Sequence, residues 1–430
     1  MRSLSLLVLL CPAVLLAESY TMQQCIDTAL VRNLEVNTQA NRTESQRLNY
    51  NQQRQNLLPH VNGSIGQSFS FGRSTGADNI TLTQNIANTS IGLNASLVLF
   101  DGLGMKFRID EARASMQASE AELEKLKSDI SINICGMFLK ALLNKELLAV
   151  ADTQLAATGR NLQRTERMVE SGRTAEGELY QQRAQYAKDE LQRTQAENEL
   201  RLSLLDLAQA MEIAYDPSFD ITAPSDLSAE ALLPDNNAVY EQALRTRPEI
   251  RADEAQLQAQ ESALKSAKAA YSPTLSAGAG VNTGYYHLFG ADNAAFGKQL
   301  DYNLSTSVGL NLTIPIFDRM QTPNAVRQQK LNIKNTRLQA EQTKKNLRKE
   351  IDQAYYNALA AQQQQQSAAK AEASAAEAYR YAEQKYEAGR MSFYELNDVK
   401  NTYIRARSEL LQARYNYLFK VRILEYYMGK

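Results

Sequence analysis

The sequence predicts a mainly α-helical protein with a small β part, built as one structural unit written twice. Three observations predict this: an internal repeat, long stretches without proline, and four short segments in which apolar residues alternate with small polar ones.

The repeat comes first. Leu30-Val31-Arg32-Asn33-Leu34-Glu35-Val36 matches Leu244-Arg245-Thr246-Arg247-Pro248-Glu249-Ile250 at a shift of 214 residues. At that shift Pro59 falls on Pro273, and Gly76-Ala77-Asp78-Asn79 on Gly290-Ala291-Asp292-Asn293. Further along the shift is 217: Ile91-Gly92-Leu93-Asn94 meets Val308-Gly309-Leu310-Asn311, and Phe100-Asp101 meets Phe317-Asp318. Glu170-Ser171-Gly172-Arg173 then meets Glu387-Ala388-Gly389-Arg390, and Glu178-Leu179 meets Glu395-Leu396. A register held across that span marks a duplication. The expected organisation is a signal peptide over 1–17, repeat 1 over 18–212, a linker over 213–236 and repeat 2 over 237–430.

The chain opens with Arg2, an apolar run from Leu4 to Leu16, and the small Ala17 before Glu18. That is the pattern of a secretory signal cleaved after Ala17, and it is shorter than the roughly 20 residues of a spanning helix. Cys11 follows Leu10, which is larger than lipoprotein processing accepts, so lipidation is not expected. Beyond the signal no apolar run reaches the length of a transmembrane helix. Cys25 and Cys135 have no CxxC spacing and no nearby histidine. They read as buried thiols, with a disulfide left open.

No proline stands between Pro59 and Pro217, or after Pro323. Proline is the strongest breaker of a helix interior, so both stretches are free to stay helical. A helix from Gly104 to Glu170 would extend about 100 Å at 1.5 Å per residue, with a counterpart from about Asn324 to Glu387. Gly172 and Gly389 are the breaks that turn each into a hairpin. Leu396, Val399, Tyr403, Ala406, Leu410, Ala413 and Tyr417 step by three and four. Leu347, Ile351, Ala354, Ala358 and Ala361 do the same, which is a coiled-coil seam. Gln362 to Gln366 reads as a polar stretch of that helix.

Four segments have a period of two: about 60–72, 89–100, 274–284 and 303–316. Val61, Ile65, Phe69 and Phe71 alternate with Asn62, Ser64, Ser68 and Ser70. Leu304, Val308, Leu310, Leu312 and Ile314 alternate with Ser305, Ser307, Asn311 and Thr313. This is the pattern of transmembrane β-strands with lipid on one face and water on the other. A soluble sheet packed against helices is the alternative. Four strands cannot close a barrel, and an open edge in lipid leaves backbone groups unpaired at several kcal/mol each. Several chains would therefore share one barrel. The loops at about 72–88 and 284–303 are polar and suit the outer surface.

Composition excludes other classes. The formal net charge is −1 and the 22% of charged residues form no block of one sign, so no field draws in nucleic acid. His60 and His287 are the only histidines and have no Cys or acid at ligand spacing, so no metal site is expected. Gly278-Ala279-Gly280 resembles the start of a dinucleotide loop, but the third glycine is misplaced and no helix follows. No nucleophile elbow, P-loop or Cys–His arrangement is present. Neither enzyme activity nor a cofactor is expected.

Three local runs carry a resemblance. They are Tyr386-Glu387-Ala388-Gly389-Arg390-Met391-Ser392-Phe393-Tyr394-Glu395-Leu396-Asn397-Asp398, Glu409-Leu410-Leu411-Gln412-Ala413-Arg414-Tyr415-Asn416-Tyr417, and Thr21-Met22-Gln23-Gln24-Cys25-Ile26-Asp27-Thr28-Ala29-Leu30. With the repeat and the strand pairs, they make nearly the whole mature chain resemble the outer-membrane efflux protein (TolC) family. The resemblance implies a homotrimer in which three sets of four strands form a 12-stranded β-barrel and the helical hairpins form a periplasmic coiled-coil tunnel. It implies contact with outer-membrane lipid and docking to a periplasmic adaptor (membrane fusion protein) and an inner-membrane pump. The location would be the outer membrane of a Gram-negative bacterium, extending into the periplasm. The expected role is the exit duct of a tripartite pump exporting small molecules. The alternatives are the exit duct of a type I protein secretion system and a soluble periplasmic coiled-coil scaffold.

Glu395 and Asp398 lie three apart after the tip glycine, so they share a helix face. The resemblance implies that such paired acids ring the periplasmic mouth. Six carboxylates there would favour cations and raise one another's pKa values; a solvated helix face is the plain alternative. The repeat counterparts are Glu178 and Gln181. The family also closes its mouth with links between hairpin tips, which places Tyr386 at the aromatic position and Glu178 at the acceptor. The family's arginine falls at Met391, whereas this chain has Arg390 one residue earlier. Tyr386 or Arg390 is therefore expected to contact Glu178. Gly172 and Gly389 are expected as left-handed helix C-caps, and with Arg173 and Arg390 as the adaptor contact.

Overall fold

A computed structural model describes residues 19–75, 81–83, 85–223 and 233–429. The expected signal peptide, the repeat match at 76–79 and part of the expected linker lie outside the described residues. The elements are α1 (Met22–Arg32), α2 (Leu34–Gln55), β1 (His60–Ser70), β2 (Arg73–Thr75), β3 (Thr81–Thr83), β4 (Ile86–Phe100), α3 (Gly104–Glu170) and α4 (Glu176–Ala210). They continue as α5 (Asn236–Thr246), α6 (Pro248–Ala269), β5 (Thr274–Leu288), α7 (Phe296–Tyr302), β6 (Ser305–Thr313), α8 (Gln321–Glu387) and α9 (Phe393–Tyr427). The chain divides into two units: Met1–Ala40 with Glu122–Ile250 and Thr343–Lys430, and Asn41–Ala121 with Arg251–Gln342.

The first unit holds the core, and the core is duplicated. Cys25 and Ala29 of α1 pack on Ile134, Phe138 and Ala141 of α3 and Leu207 of α4. In the second repeat Val239 and Ala243 of α5 pack on Leu347 and Ile351 of α8, and Ala358 of α8 packs on Leu424 of α9. Burying each large apolar side chain contributes about 1.5–3 kcal/mol. Cys25 stands where the second repeat has Val239, so it acts as a small apolar filler. Both Cys25 and Cys135 are free and buried. Burial pushes their thiols up to about 12 and about 11, which keeps them unreactive. The seam alanines Ala354, Ala358, Ala361, Ala406 and Ala413 are buried and let the helices approach closely. Helix α8 runs unbroken through Gln362–Gln366, and Gln362 donates to the Tyr417 hydroxyl at 3.4 Å. Strand-like contacts between Tyr20 and Asp220–Thr222 fix the segment after α4, and Lys145 holds Asp220 at 2.7 Å.

The second unit carries a four-stranded antiparallel sheet in the order β1-β4-β5-β6, and the short antiparallel pair β2–β3. Two hairpins, one per repeat, meet at the β4–β5 pairing. One row of register partners is Val61, Ala95, Ala279 and Val308, and the next row toward the outer loops is Gly63, Leu93, Val281 and Thr306, on the same face. The opposite face reads Asn62, Asn94, Gly280, Ser307 and Ser64, Gly92, Asn282, Ser305. The apolar face is open: Ile65 is 79% and Val308 81% exposed. Near its upper end Tyr285 packs edge-on against Phe296 at 5.1 Å and His287 edge-on against Phe289 at 4.8 Å, the kind of aromatic girdle found at a membrane interface.

Several limits differ from the sequence pattern. Strand β4 begins at Ile86 and β5 continues to Leu288, because Ile86 to Thr89 pair with Leu288 to Tyr285. The expected second loop also contains α7. Strand β6 stops at Thr313 rather than 316, since Pro315 has no N–H to give the ladder. Helix α8 starts at Gln321 rather than 324. Asp318 accepts from the Thr322 N–H at 2.7 Å and so caps the helix, leaving Pro323 in the first turn where no donor is needed. Asp101 accepts from Met105 N–H at 3.1 Å in the same way. Both strand-to-helix turns use two left-handed residues, Gly102–Leu103 and Arg319–Met320, with φ between 56° and 67°.

Candidate functional site at the hairpin tips

The two tips are built alike. Gly172 and Gly389 sit at φ 70° and 69°. Gly172 N–H donates to Val169 C=O and Arg173 N–H to Met168 C=O, at 2.9 and 2.8 Å. Gly389 and Arg390 repeat this on Tyr386 and Lys385, at 3.0 and 2.9 Å. Each is a Schellman cap, in which the glycine takes the left-handed residue that ends the helix. Arg173 and Arg390 thus have their backbones committed to the caps, and both residues are exposed.

The restarts differ. Ser392 caps α9: its hydroxyl accepts from Glu395 N–H, and the Glu395 carboxylate accepts from Ser392 N–H at 2.9 Å and from its hydroxyl at 2.8 Å. Ala175 occupies the matching place before α4 and makes no side-chain cap. Glu395 and Asp398 are both exposed on one face of α9. The two Ser392 donors hold the Glu395 carboxyl below the usual value, because they stabilise the charged form directly.

Between the hairpins, the Tyr386 hydroxyl donates to Glu178 Oε1 at 3.3 Å. Both side chains are half-buried. Burial, reinforced by the Glu178 charge, pushes the Tyr386 phenol up, so it stays protonated as a donor. Tyr386 also packs edge-on against Phe393 at 6.4 Å. Of the two expected partners of Glu178, the structure brings Tyr386 to it.

Behind the tips lies a buried polar layer that sequence reasoning missed. Asp189 of α4 is 1% exposed and accepts from Gln154 at 3.2 Å, Gln185 at 2.7 Å and the Thr158 hydroxyl at 2.5 Å. Lys400 of α9, 7% exposed, donates to Thr158 Oγ1 at 2.7 Å and stands 3.9 Å from Asp189. Asn397 donates to Gln185 at 3.0 Å. Gln182 is fully buried with neither amide atom in a clear hydrogen bond. Burial holds the Lys400 ammonium below its ordinary pKa, opposed by the Asp189 charge. A signal was present: at the 217-residue shift, Gln182 and Asp189 align with Val399 and Ala406 of the seam.

Comparisons with known proteins agree with this architecture. A family model described as "Outer membrane efflux protein" matches residues 25–211 and 239–430. The Cation efflux system protein CusC of Escherichia coli strain K12 is 26% identical over 415 residues, spanning 91% of this chain and 82% of that protein. A crystal structure of CusC superposes with a TM-score of 0.77 at 20% identity, covering 94% of this chain and 91% of that one. The open state of the Neisseria gonorrhoeae MtrE outer membrane channel gives a TM-score of 0.76 at 19% identity, covering 95% and 88%.

Proposed function

The chain belongs to the outer membrane efflux protein family, and from that premise we propose that it is the exit duct of a tripartite pump that exports small molecules. It is an outer-membrane channel protein of a Gram-negative bacterium and not an enzyme. Proteins of this family are trimeric channels that work with an adaptor and an inner-membrane pump. One observation supports the duct reading most. The four-stranded sheet leaves its apolar face and both edge strands, β1 and β6, without a partner among the described residues. Lipid on the face and neighbouring copies on the edges satisfy both demands.

In this reading, cleavage after Ala17 leaves residues 18–212 and 237–430 as two repeats joined through 213–236. Three chains pool twelve strands. Glu395 and Asp398 line the periplasmic mouth, and the Tyr386–Glu178 bond holds it shut. Gly172, Arg173, Gly389 and Arg390 meet the adaptor. Adaptor binding favours the arrangement with that bond broken. The CusC name speaks of cation efflux; here the pump would choose the cargo.

The test is purification in detergent with mass determination of the particle, followed by conductance in planar bilayers. A particle of three chains that forms channels supports the duct. A stable monomer in buffer without detergent sinks it.

A further inference from the structure

We infer that Lys400 and Asp189 are positioning residues for the gate: their contact through Thr158 fixes α9 against α3 and α4 in the one register that lets Tyr386 reach Glu178. This rests on the gate reading above and adds residues that do not touch the gate themselves.

Three helices meet at one point. Thr158 belongs to α3, Asp189 to α4 and Lys400 to α9, with the Thr158 hydroxyl donating to Asp189 and accepting from Lys400. Gln154 and Gln185 complete the shell of donors around the carboxylate. Buried charges of this kind are poor sources of net stability, because desolvation offsets their attraction. What a polar group at a coiled-coil seam does well is exclude other registers. A slide of one residue is about 1.5 Å along a helix axis. That would leave Lys400 buried without its acceptor, and Asp189 without the cation beside it.

The cluster is not inherited from the repeat. The counterparts of Gln154, Thr158 and Asp189 are Ala371, Ala375 and Ala406, and that of Lys400 is Arg183, which pairs with Glu166 at the surface. The counterpart of Tyr386 is Val169. The tip bond and the buried cluster are therefore both peculiar to the junction of the second hairpin with the first. The tip bond alone is a weak constraint: a single hydrogen bond between half-exposed groups shifts an equilibrium by roughly tenfold. The cluster, about two helical turns along α9 from its start, supplies the register that makes the bond geometrically available.

The experiment compares purified wild type, Lys400→Met, and the double variant Asp189→Leu/Lys400→Met for resting conductance in bilayers and for thermal midpoint. The expected result is a resting conductance raised about tenfold in both variants. The double variant regains part of the midpoint lost by Lys400→Met, because it buries no lone charge but leaves Gln154, Gln185 and Thr158 without their acceptor. Conductance that returns to wild type together with stability would show a merely structural pair and overturn the inference. So would an unchanged conductance in the variants. If Lys400→Met fails to fold, the double variant still decides. Wild type that forms no channel sinks the duct reading instead. The register claim is then read from nitroxides at Glu176→Cys and Glu387→Cys, with labelled chain diluted into unlabelled. One narrow distance distribution that broadens in the double variant supports it, and an unchanged distribution overturns it. The buried Cys25 and Cys135 stay unlabelled.

Discussion

Glu178 and Glu395 are counterparts in the two repeats, and what stands three residues earlier decides what each one does. Ser392 draws the Glu395 carboxylate into a capping box. Ala175 offers Glu178 no hydroxyl, so Glu178 is left to accept from Tyr386 across the hairpins. One side-chain difference thus converts a helix cap into an inter-hairpin link.

Removing that link should loosen the mouth. Glu178→Ala and Tyr386→Phe should each raise resting conductance in bilayers, by up to about tenfold for one hydrogen bond. The two together should do little more than either alone, since they remove the same contact. Additive effects would show that each side chain acts through something else.

Ala175→Ser should stabilise α4 and still loosen the mouth. The new hydroxyl completes a capping box with Glu178, worth about 1 kcal/mol to the helix. The same carboxylate is then withdrawn from Tyr386. A higher thermal midpoint with a higher resting conductance is the expected pair of readings; a rise in stability with unchanged conductance counts against the link.

Ser392→Ala should cost about 1 kcal/mol of helix stability and change the acid limb of the stability profile. The folded-state pKa of Glu395 is lowered, so its contribution is present above the ordinary value of 4.5 and is lost as pH falls through the lower folded value. Without Ser392 that dependence should flatten. Thermal midpoints measured from neutral pH down to the acid limit check it.

The two faces of the sheet should tolerate charge very differently. Val308→Arg, on the apolar face of β6, should cost about 2–4 kcal/mol near the bilayer midplane and lower the yield of assembled protein in the outer-membrane fraction. Ser307→Arg, on the small polar face, should assemble at wild-type yield. Equal yields would reverse the assignment of lipid and water.

Much of this fold was legible in the sequence because its elements are long and strictly periodic. The period of two placed Val61, Leu93, Val281 and Val308 on one sheet face, and the glycines at 172 and 389 marked both turns. Strand ends were less legible. Ile86–Thr89 belong to β4 only because Tyr285–Leu288 lie beside them, and pairing partners are not visible in a local pattern. The role of Glu395 was hidden by its neighbour, since a carboxylate three residues after a serine reads equally as a pore acid and a cap. The Lys400–Asp189 cluster was not legible in a single helix, because a lone charge on α4 or α9 carries no local sign of its partner on another helix. Aligning the repeats position by position, so that Asp189 falls on Ala406, exposes it.

The pairing of β4 with β5 runs from Ile86 opposite Leu288 to Phe100 opposite Leu275. These ladder bonds, not the peptide through 213–236, stitch the halves together at the sheet. A gene interrupted in that segment would encode two polypeptides, each with its own strand hairpin and helical hairpin. Given a secretion signal on both, the fragments should complement one another and rebuild a working pore.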